Sequence, residues 1–263
     1  MTLLALRGLS RRYAGLTAVD RVDLDVPAQG VHAVIGPNGA GKTTLFNLIS
    51  GLVAPSAGTI ALDGRDVTRL AADARARLGL ARTFQAVRLF ADMTVLENAL
   101  TGLHPRLRSS LAAIVLRTRG FRREERNAVA RARDALAMVG LERRGGERAA
   151  ALSYGEARRL EIARAMAGAP RLLLLDEPAA GLNPAETVTL GTLVRSIVDA
   201  GTTVLLVEHD MKFVMGLSDS VTVLNFGRRI FHGTPAEARA DPAVIEAYLG
   251  AKVAARLQGS AHA

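Results

Sequence analysis

The chain has 263 residues, of which 49% are hydrophobic and none is cysteine. This composition excludes a disordered or fibrous protein and predicts one domain with a substantial core, and the lack of thiols excludes disulfide bonds and thiolate chemistry. The positive charge, net +9, is carried almost entirely by arginine in an alanine-rich chain with three Tyr and no Trp, so we attribute it to compositional bias and expect no nucleic-acid partner.

The first ten residues hold an apolar patch that is too short for a signal-peptide core, with no basic region before it and no small-residue cleavage site after it. The longest apolar runs, residues 111–116 and 172–175, fall far short of the roughly 20 residues that a helix needs to cross a bilayer. We therefore expect a chain that does not span a membrane and stays in the cytoplasm.

The next segments have strand and then helix patterns. Val22, Leu24 and Val26 alternate with aspartates, which is the period of a half-buried strand, and residues 31–35 form a fully apolar strand after a turn. From residue 43 to 52 the apolar spacing becomes helical, with Gly51 ending or kinking that helix. The chain is thus predicted to begin with β-structure.

Residues 36–43, Gly-Pro-Asn-Gly-Ala-Gly-Lys-Thr, match the phosphate-binding pattern GxxxxGK[ST] between that strand and that helix. Glycines let backbone N–H groups converge on phosphate oxygens, Lys42 can reach the outer phosphates, and Thr43 can ligate Mg²⁺. An ordinary glycine-rich turn is the alternative, but a chance match in this length is on the order of one in a hundred. The predicted phosphate-binding residues are Gly36, Pro37, Asn38, Gly39, Ala40, Gly41, Lys42, Thr43 and Thr44.

Between about residues 86 and 150 the pattern changes to helical periodicity with many arginines and few strand-like runs. Thr94 and Glu97 fit a capping box that opens a helix, and residues 127–139 form another amphipathic candidate. We interpret this region as an inserted helical lobe.

Two more apolar strands, residues 171–175 and 203–207, are separated by a helical stretch at residues 185–200. Strands that alternate with helices predict an α/β fold with a mainly parallel sheet covered on both faces.

The first of these strands ends in two carboxylates, Asp176 and Glu177. Ligands of open α/β sheets gather at the carboxyl ends of strands, so Asp176 is expected to hold Mg²⁺ through water. Glu177 would then orient and deprotonate the attacking water, a role worth about 10²–10⁴ in rate. Alone, such a pair is more often a polar turn, but beside a phosphate-binding loop it is the expected hydrolytic site.

Residues 152–156, Leu-Ser-Tyr-Gly-Glu, precede these carboxylates by a short helix and strand, as the signature sequence does in ABC ATPases. The resemblance covers nearly the whole chain and implies one P-loop NTPase domain over residues 1–250. Its nucleotide-binding core, with an N-terminal antiparallel β portion, would comprise residues 1–85 and 155–250. The α-helical lobe would be residues 86–154, and residues 251–263 a tail.

The same resemblance implies roles for single residues. Ser153 and Gly155 would bind the γ-phosphate of ATP held by an opposite subunit, although Ser153 and Glu156 also fit a plain capping box, and both can hold. Gln85 would link the Mg²⁺ site to the helical lobe, and His209 would contact the γ-phosphate. Tyr13 would stack on adenine, and residues 180–183 would line the dimer interface.

Tyr154 and Glu156 replace the glycine and glutamine of the usual signature, and Asn183 replaces an aspartate, which leaves the contacts across the interface open. Together with Arg-Thr-Phe-Gln at residues 82–85 and Ala-Tyr-Leu-Gly at 247–250, these departures resemble the branched-chain amino acid importers.

That resemblance implies an ATP-hydrolysing subunit, peripheral on the inner face of the cell membrane, with Mg²⁺ as cofactor. Its partners would be membrane permease subunits, a second ABC ATPase subunit and, indirectly, a periplasmic binding protein. The alternatives are urea or amide import, lipid export, or a soluble ABC ATPase, although the last class usually joins two cassettes or carries a long coiled coil. The sequence does not determine the transported molecule, or whether the two ATPase subunits are alike.

Overall fold

The structure, a computed structural model, describes residues 1–106 and 110–249. The predicted tail at residues 251–263 lies outside this part of the chain. Ten strands are described: β1 (Thr2–Tyr13), β2 (Leu16–Pro27), β3 (Val31–Ile35), β4 (Ala57–Leu62), β5 (Arg65–Asp66), β6 (Leu80–Arg82), β7 (Leu172–Asp176), β8 (Thr203–Val207), β9 (Ser220–Asn225) and β10 (Arg228–Gly233).

The helices follow the same chain order. They are α1 (Lys42–Ser50), α2 (Ala72–Arg77), α3 (Val95–Thr101), α4 (Leu111–Val115), α5 (Arg119–Met138), α6 (Tyr154–Ala167), α7 (Pro184–Asp199), α8 (Met211–Leu217), α9 (Pro235–Ala240) and α10 (Pro242–Leu249). None of them, within the described residues, is both long and apolar enough to cross a membrane.

Two sheets form the framework. The larger has the order β10-β9-β3-β8-β7-β6, in which all neighbouring strands are parallel except the β9–β10 pair. The smaller is antiparallel, with the order β2-β1-β4-β5. Every residue of β3, β7 and β8 is buried, because a parallel sheet is covered by helices on both faces. The predicted α/β class and the N-terminal antiparallel portion are confirmed.

Helix α1 lies between the two sheets. Leu45, Phe46, Leu48 and Ile49 of α1 are fully buried in one core cluster with residues of β1, β2, β4 and the facing side of the larger sheet. Gly51 ends the helix with a φ of 78°, a left-handed conformation that glycine adopts without a steric penalty. The predicted end of this helix is thus confirmed. Because α1 packs against a sheet on each side, its first turn is held in place next to the loop that precedes it.

On the other face of the larger sheet, helices α3, α5, α6, α7 and α8 share the second core cluster. The predicted capping box of α3 is present, since Thr94 accepts from the Glu97 N–H and the Glu97 side chain accepts from the Thr94 N–H. The amphipathic helix predicted at residues 127–139 is the second half of α5. Its start was predicted too late because residues 119–126 are largely charged and exposed, so they show no apolar stripe.

Candidate functional site

The loop of residues 36–41 connects β3 to α1, and two of its glycines have no room for a side chain. A Cβ at Gly36, where φ is 149°, would lie 2.1 Å from the Leu224 carbonyl oxygen. A Cβ at Gly41, where φ is 100°, would lie 2.3 Å from the Ala18 carbonyl oxygen. The loop is therefore wedged between β2 and β9 in a conformation that only glycine fits.

The N-terminus of α1 differs from those of other helices in the described chain. Helices α3, α6, α7 and α9 begin with complete capping boxes, whereas α1 has neither a side-chain cap nor an acidic residue in its first turn. Its first N–H groups and the positive end of its dipole are thus left for an anion. Thr43 is exposed there and Thr44 is half-buried.

Lys42 is a buried cation at this loop. Its Nζ donates to the carbonyl oxygens of Gly36, at 2.6 Å, and Pro37, at 3.0 Å. Burial lowers the pKa of Lys42, and the nearby charges of Glu177 and Asp176 partly oppose that shift. A cation on a flexible stem, bonded only to neutral carbonyls in the described chain, can turn toward phosphate oxygens at little cost.

Asp176 ends β7 with its side chain almost fully buried, and a residue that sequence reasoning missed holds it. The Arg82 guanidinium donates to Asp176 Oδ2 at 2.8 Å, and also to Asn47 Oδ1 at 2.8 Å and Ser50 Oγ at 2.9 Å. The only sequence signal for Arg82 is a charge at the end of a short strand. This network fixes the orientation of the carboxylate beside α1.

Three predicted site residues meet at adjacent strand ends. Gln85 follows β6, Glu177 follows β7 and His209 follows β8. Gln85 Nε2 donates to Glu177 Oε2 at 3.1 Å, and His209 Nδ1 lies 3.8 Å from that same oxygen. Because β3 neighbours β8, the phosphate-binding loop opens at this edge of the sheet as well.

The backbone of Glu177 is strained. Its φ of 46° is left-handed, which costs a non-glycine residue roughly 1–2 kcal/mol. The Glu177 N–H donates to the Val207 carbonyl oxygen at 2.9 Å, so pairing with β8 holds this conformation. Strain of this kind concentrates at functional sites, where it aims a side chain.

Two further charged residues, both missed in the sequence, support these strand ends. Arg158 of α6 donates to the carbonyl oxygens of Phe84 and Gln85, each at 2.9 Å, and pairs with Glu161 at 3.0 Å. Glu208 is fully buried, and its carboxylate accepts from backbone N–H groups of neighbouring loops. Arg158 lies in no motif that the sequence analysis singled out, whereas Glu208 directly precedes His209 at the end of an apolar strand, where an acid is unusual.

The predicted signature residues lie elsewhere. Ser153 caps α6, and its capping box with Glu156 is confirmed. Gly155 is buried, and a Cβ there would lie 2.4 Å from Glu186 Oε1. Among the described hydrogen bonds, none joins Ser153 or Gly155 to residues 36–44 of the same chain.

Each of the three departures from the usual pattern has a local contact. The Tyr154 hydroxyl donates to the Ala180 carbonyl oxygen at 3.1 Å. Glu156 pairs with Arg144 at 2.6 Å, and this pairing, with the N–H bond from Ser153, lowers the pKa of Glu156 to about 2. Asn183 caps α7, accepting from the Glu186 N–H at 2.9 Å. These three residues therefore stabilise the first turns of α6 and α7 and the turn after β7 within their own chain.

Tyr13 ends β1 and is partly exposed. The Arg11 guanidinium carbon lies 4.5 Å from the centroid of its ring, a cation–π distance, so one face of the ring is covered. Stacking of the other face on a base stays a prediction.

In residues 1–106 and 110–249 there is no cluster of three or more His, Asp or Glu side chains that could hold a metal ion. Thr43, Gln85 and Asp176 supply oxygen ligands of the kind that Mg²⁺ prefers, and Mg²⁺ is commonly held by one or two protein ligands together with substrate phosphates. These residues fit such an ion only alongside a bound nucleotide.

Comparisons with known proteins show the family of the chain. A family model described as "ABC transporter" matches residues 19–180, and one described as "Branched-chain amino acid ATP-binding cassette transporter" matches residues 228–254. The chain is 48% identical to the high-affinity branched-chain amino acid transport ATP-binding protein LivG of Salmonella typhimurium, covering 94% of this chain and 98% of LivG. It is also 47% identical to the high-affinity branched-chain amino acid transport ATP-binding protein BraF of Pseudomonas aeruginosa, again covering 94% of this chain and 98% of BraF.

A solved structure has the same fold. It is the ADP conformation of MJ1267, an ATP-binding cassette of an ABC transporter, which is 29% identical and has a TM-score of 0.83 over 95% of this chain and 99% of that one.

Proposed function

The chain belongs to the ABC transporter family as an ATP-hydrolysing subunit, and from that premise we propose that it energises the import of branched-chain amino acids. The identity to LivG supports the substrate class, and one observation supports ATP hydrolysis most strongly. Gln85 and His209 converge on Glu177 Oε2, at 3.1 and 3.8 Å, at the edge of the sheet where the glycine loop opens.

The proposed division of labour follows from this geometry. Residues 36–44 bind the phosphates of ATP through backbone N–H groups, and Lys42 neutralises the outer phosphates. Glu177 accepts a proton from the attacking water, while Gln85 and His209 orient the water and the γ-phosphate. Tyr13 stacks on the adenine.

Mg²⁺, when bound, neutralises charge on the β- and γ-phosphates. Thr43, Gln85 and Asp176 are the residues that we propose hold it, with Asp176 acting through water. The Arg82 contact keeps one oxygen of Asp176 occupied, which leaves the other for this role.

Proteins of this family work with membrane permease subunits, and the proposed site requires a second ATPase subunit too. Ser153 and Gly155 of that subunit would complete the γ-phosphate site, because in this chain they lie apart from its own loop. A periplasmic binding protein would deliver the amino acid to permeases in the membrane, and this subunit would sit on their inner face.

The assembled transporter in proteoliposomes tests the proposal. With its binding protein and ATP, it should take up leucine, isoleucine or valine. The Glu177→Gln variant should bind ATP with near-normal affinity but hydrolyse it at least about 100-fold more slowly. The matched control is Glu142→Gln, an exposed carboxylate of the helical region, which should leave both rates unchanged.

Different outcomes contradict different parts of the proposal. Wild-type turnover in Glu177→Gln would remove Glu177 as the base. Uptake of urea or an amide instead of an amino acid would leave the ATPase assignment intact and overturn the substrate class.

A further inference from the structure

Glu208 is a buried carboxylate without a strong cationic partner. It is fully buried, and no Lys or Arg in the described part of the chain forms an ion pair with it. The basic side chain that lies beside it is the His209 imidazole, whose Nδ1 is 3.8 Å from Glu208 Oε2. Burial raises the pKa of Glu208, although bonds from backbone N–H groups oppose that shift. A carboxyl group in such a place destabilises a fold unless its hydrogen bonds offset the cost.

Those hydrogen bonds join two loops of the site. Glu208 Oε1 accepts from the N–H of Ala179 at 2.7 Å, and Oε2 accepts from the N–H of His209 at 3.1 Å. Ala179 lies two residues after Glu177, in the turn that follows β7, whereas His209 follows β8. Glu208 itself lies in the loop after β8, directly before His209, so its Oε2 orders this loop and its Oε1 joins the loop to the one that carries the base.

The bridge acts on groups that are set close together. Glu177 Oε2 and His209 Nδ1 are 3.8 Å apart, and Glu177 is held in a left-handed conformation by its bond to Val207. A shift of either loop by about 1 Å would change this separation enough to cost a large factor in rate. A group that accepts from both loops at once is placed to prevent that shift.

We propose that Glu208 is a positioning residue for ATP hydrolysis: its Oε1 ties the loop after β8, which carries His209, to the Glu177 loop, while its Oε2 orders the His209 N–H. This inference rests on the proposed roles of Glu177 and His209. Glutamine has nearly the same shape but replaces one acceptor with an NH₂ group. The NH₂ group would face a backbone N–H, from which it cannot accept, so one of the two hydrogen bonds would be lost.

The experiment is a double-mutant cycle between Glu208→Gln and His209→Ala in the assembled transporter. Single-turnover hydrolysis of radiolabelled ATP is measured, since it detects very slow rates, together with ATP affinity and thermal stability. We expect Glu208→Gln to slow hydrolysis about tenfold or more in the wild-type background, with ATP affinity within about twofold. In the His209→Ala background, the further loss should be less than about twofold, because the two residues act as one unit.

The control is Glu237→Gln, a carboxylate that accepts the Thr234 N–H at 2.7 Å in α9 and should leave the rate unchanged. Should Glu208→Gln fail to fold, Glu208→Asp replaces it in the cycle, because aspartate keeps the charge but is too short to bridge both loops.

If Glu208→Gln slowed hydrolysis by the same factor in the wild-type and His209→Ala backgrounds, the positioning role would be overturned, because a general effect on folding is additive. The role would also be overturned if Glu208→Gln slowed hydrolysis in neither background. If His209→Ala alone had no effect on hydrolysis, the proposed role of His209 itself would be wrong, and the two failures are thereby told apart.

Discussion

At the scale of single residues, Lys42 combines burial with a charge that only carbonyl groups contact in the described chain. Replacing Lys42 with alanine removes this charge from a site that must hold several phosphate charges. Charge-assisted hydrogen bonds contribute about 1.5–3 kcal/mol, so the ATP dissociation constant should rise about 10- to 100-fold. Titration with a fluorescent ATP analogue measures it, with the exposed Lys212→Ala as control. Unchanged affinity would refute the assignment of the phosphate-binding loop.

At the scale of an element, α6 holds the strand end that carries Gln85. Arg158 and Glu161 are both 1% exposed and form an ion pair, and Glu161 also accepts from the Phe84 N–H at 3.3 Å. Arg158→Met would leave the buried Glu161 charge with only its longer contact to Arg164, at 3.6 Å, and losing the close partner of a buried pair lowers the free energy of unfolding by about 3 kcal/mol. Urea denaturation of the isolated subunit measures the loss.

Two comparisons make the α6 prediction specific. Arg228→Met breaks the exposed pair with Asp20, and should cost no more than about 1 kcal/mol. The double variant Arg158→Met with Glu161→Met removes both charges of the close pair and should recover about 1 kcal/mol or more, since Arg164, the other contact of Glu161, keeps its hydrogen bond to the Arg88 carbonyl oxygen. A double variant less stable than Arg158→Met alone would mean that the backbone hydrogen bonds of Glu161, and not its charge, dominate.

At the scale of the whole molecule, the proposed γ-phosphate site would be shared by two subunits, because no described hydrogen bond joins Ser153 or Gly155 to residues 36–44 of the same chain. We expect ATP turnover per subunit to fall as dilution separates dimers into monomers. Ser153→Arg should still bind ATP but fail to close a dimer, because the arginine fills the space of the partner's phosphate. In a mixed dimer with a wild-type partner, the lost turnover should be that of the partner's phosphate-binding loop.

Ser110→Arg is the control for the dimer prediction, since Ser110 is also an exposed serine whose hydroxyl accepts a backbone N–H, that of Ala113. If ATP turnover per subunit stayed constant down to concentrations at which only monomers exist, and if Ser153→Arg did not change it, each subunit would hydrolyse ATP at a site made of its own residues alone.

At the same scale, we predict where the permease binds. A groove of about 550 Å³ lies between the two halves of the chain, and Phe84, Arg88 and Phe90 line it. Phe90 is 55% exposed, whereas Leu89 packs against the core. Phe90→Glu should therefore leave the isolated subunit folded and active but uncouple ATP hydrolysis from uptake in proteoliposomes. Val115→Glu, at a position 80% exposed, is the control. Unfolding of Phe90→Glu would assign Phe90 to internal packing.

Local chemistry allowed much of this molecule to be predicted. The glycine loop, the capping boxes at Thr94 and Ser153 and the strand at residues 203–207 depend on neighbours within a few residues, so their patterns are complete in the sequence. Only the resemblance to a family grouped Gln85, Glu177 and His209, since they are far apart along the chain. The start of α5 was missed because exposed charged residues do not mark a helix by their periodicity.

The sequence by itself determined the strand and helix periods, the phosphate-binding loop and the carboxylate pair, because each depends only on residues that are close together along the chain. Tertiary structure alone decided which polar residues become buried and what they bond. The burial of Arg82, Arg158 and Glu208 and the identity of their partners cannot be read from neighbouring residues. Arg82 bonds to Asp176, Arg158 bonds to the backbone carbonyl groups of residues 84–85, and Glu208 accepts from the Ala179 N–H. Parallel strands bring these partners within reach from distant parts of the chain, and a buried charge is stable only where such partners surround it.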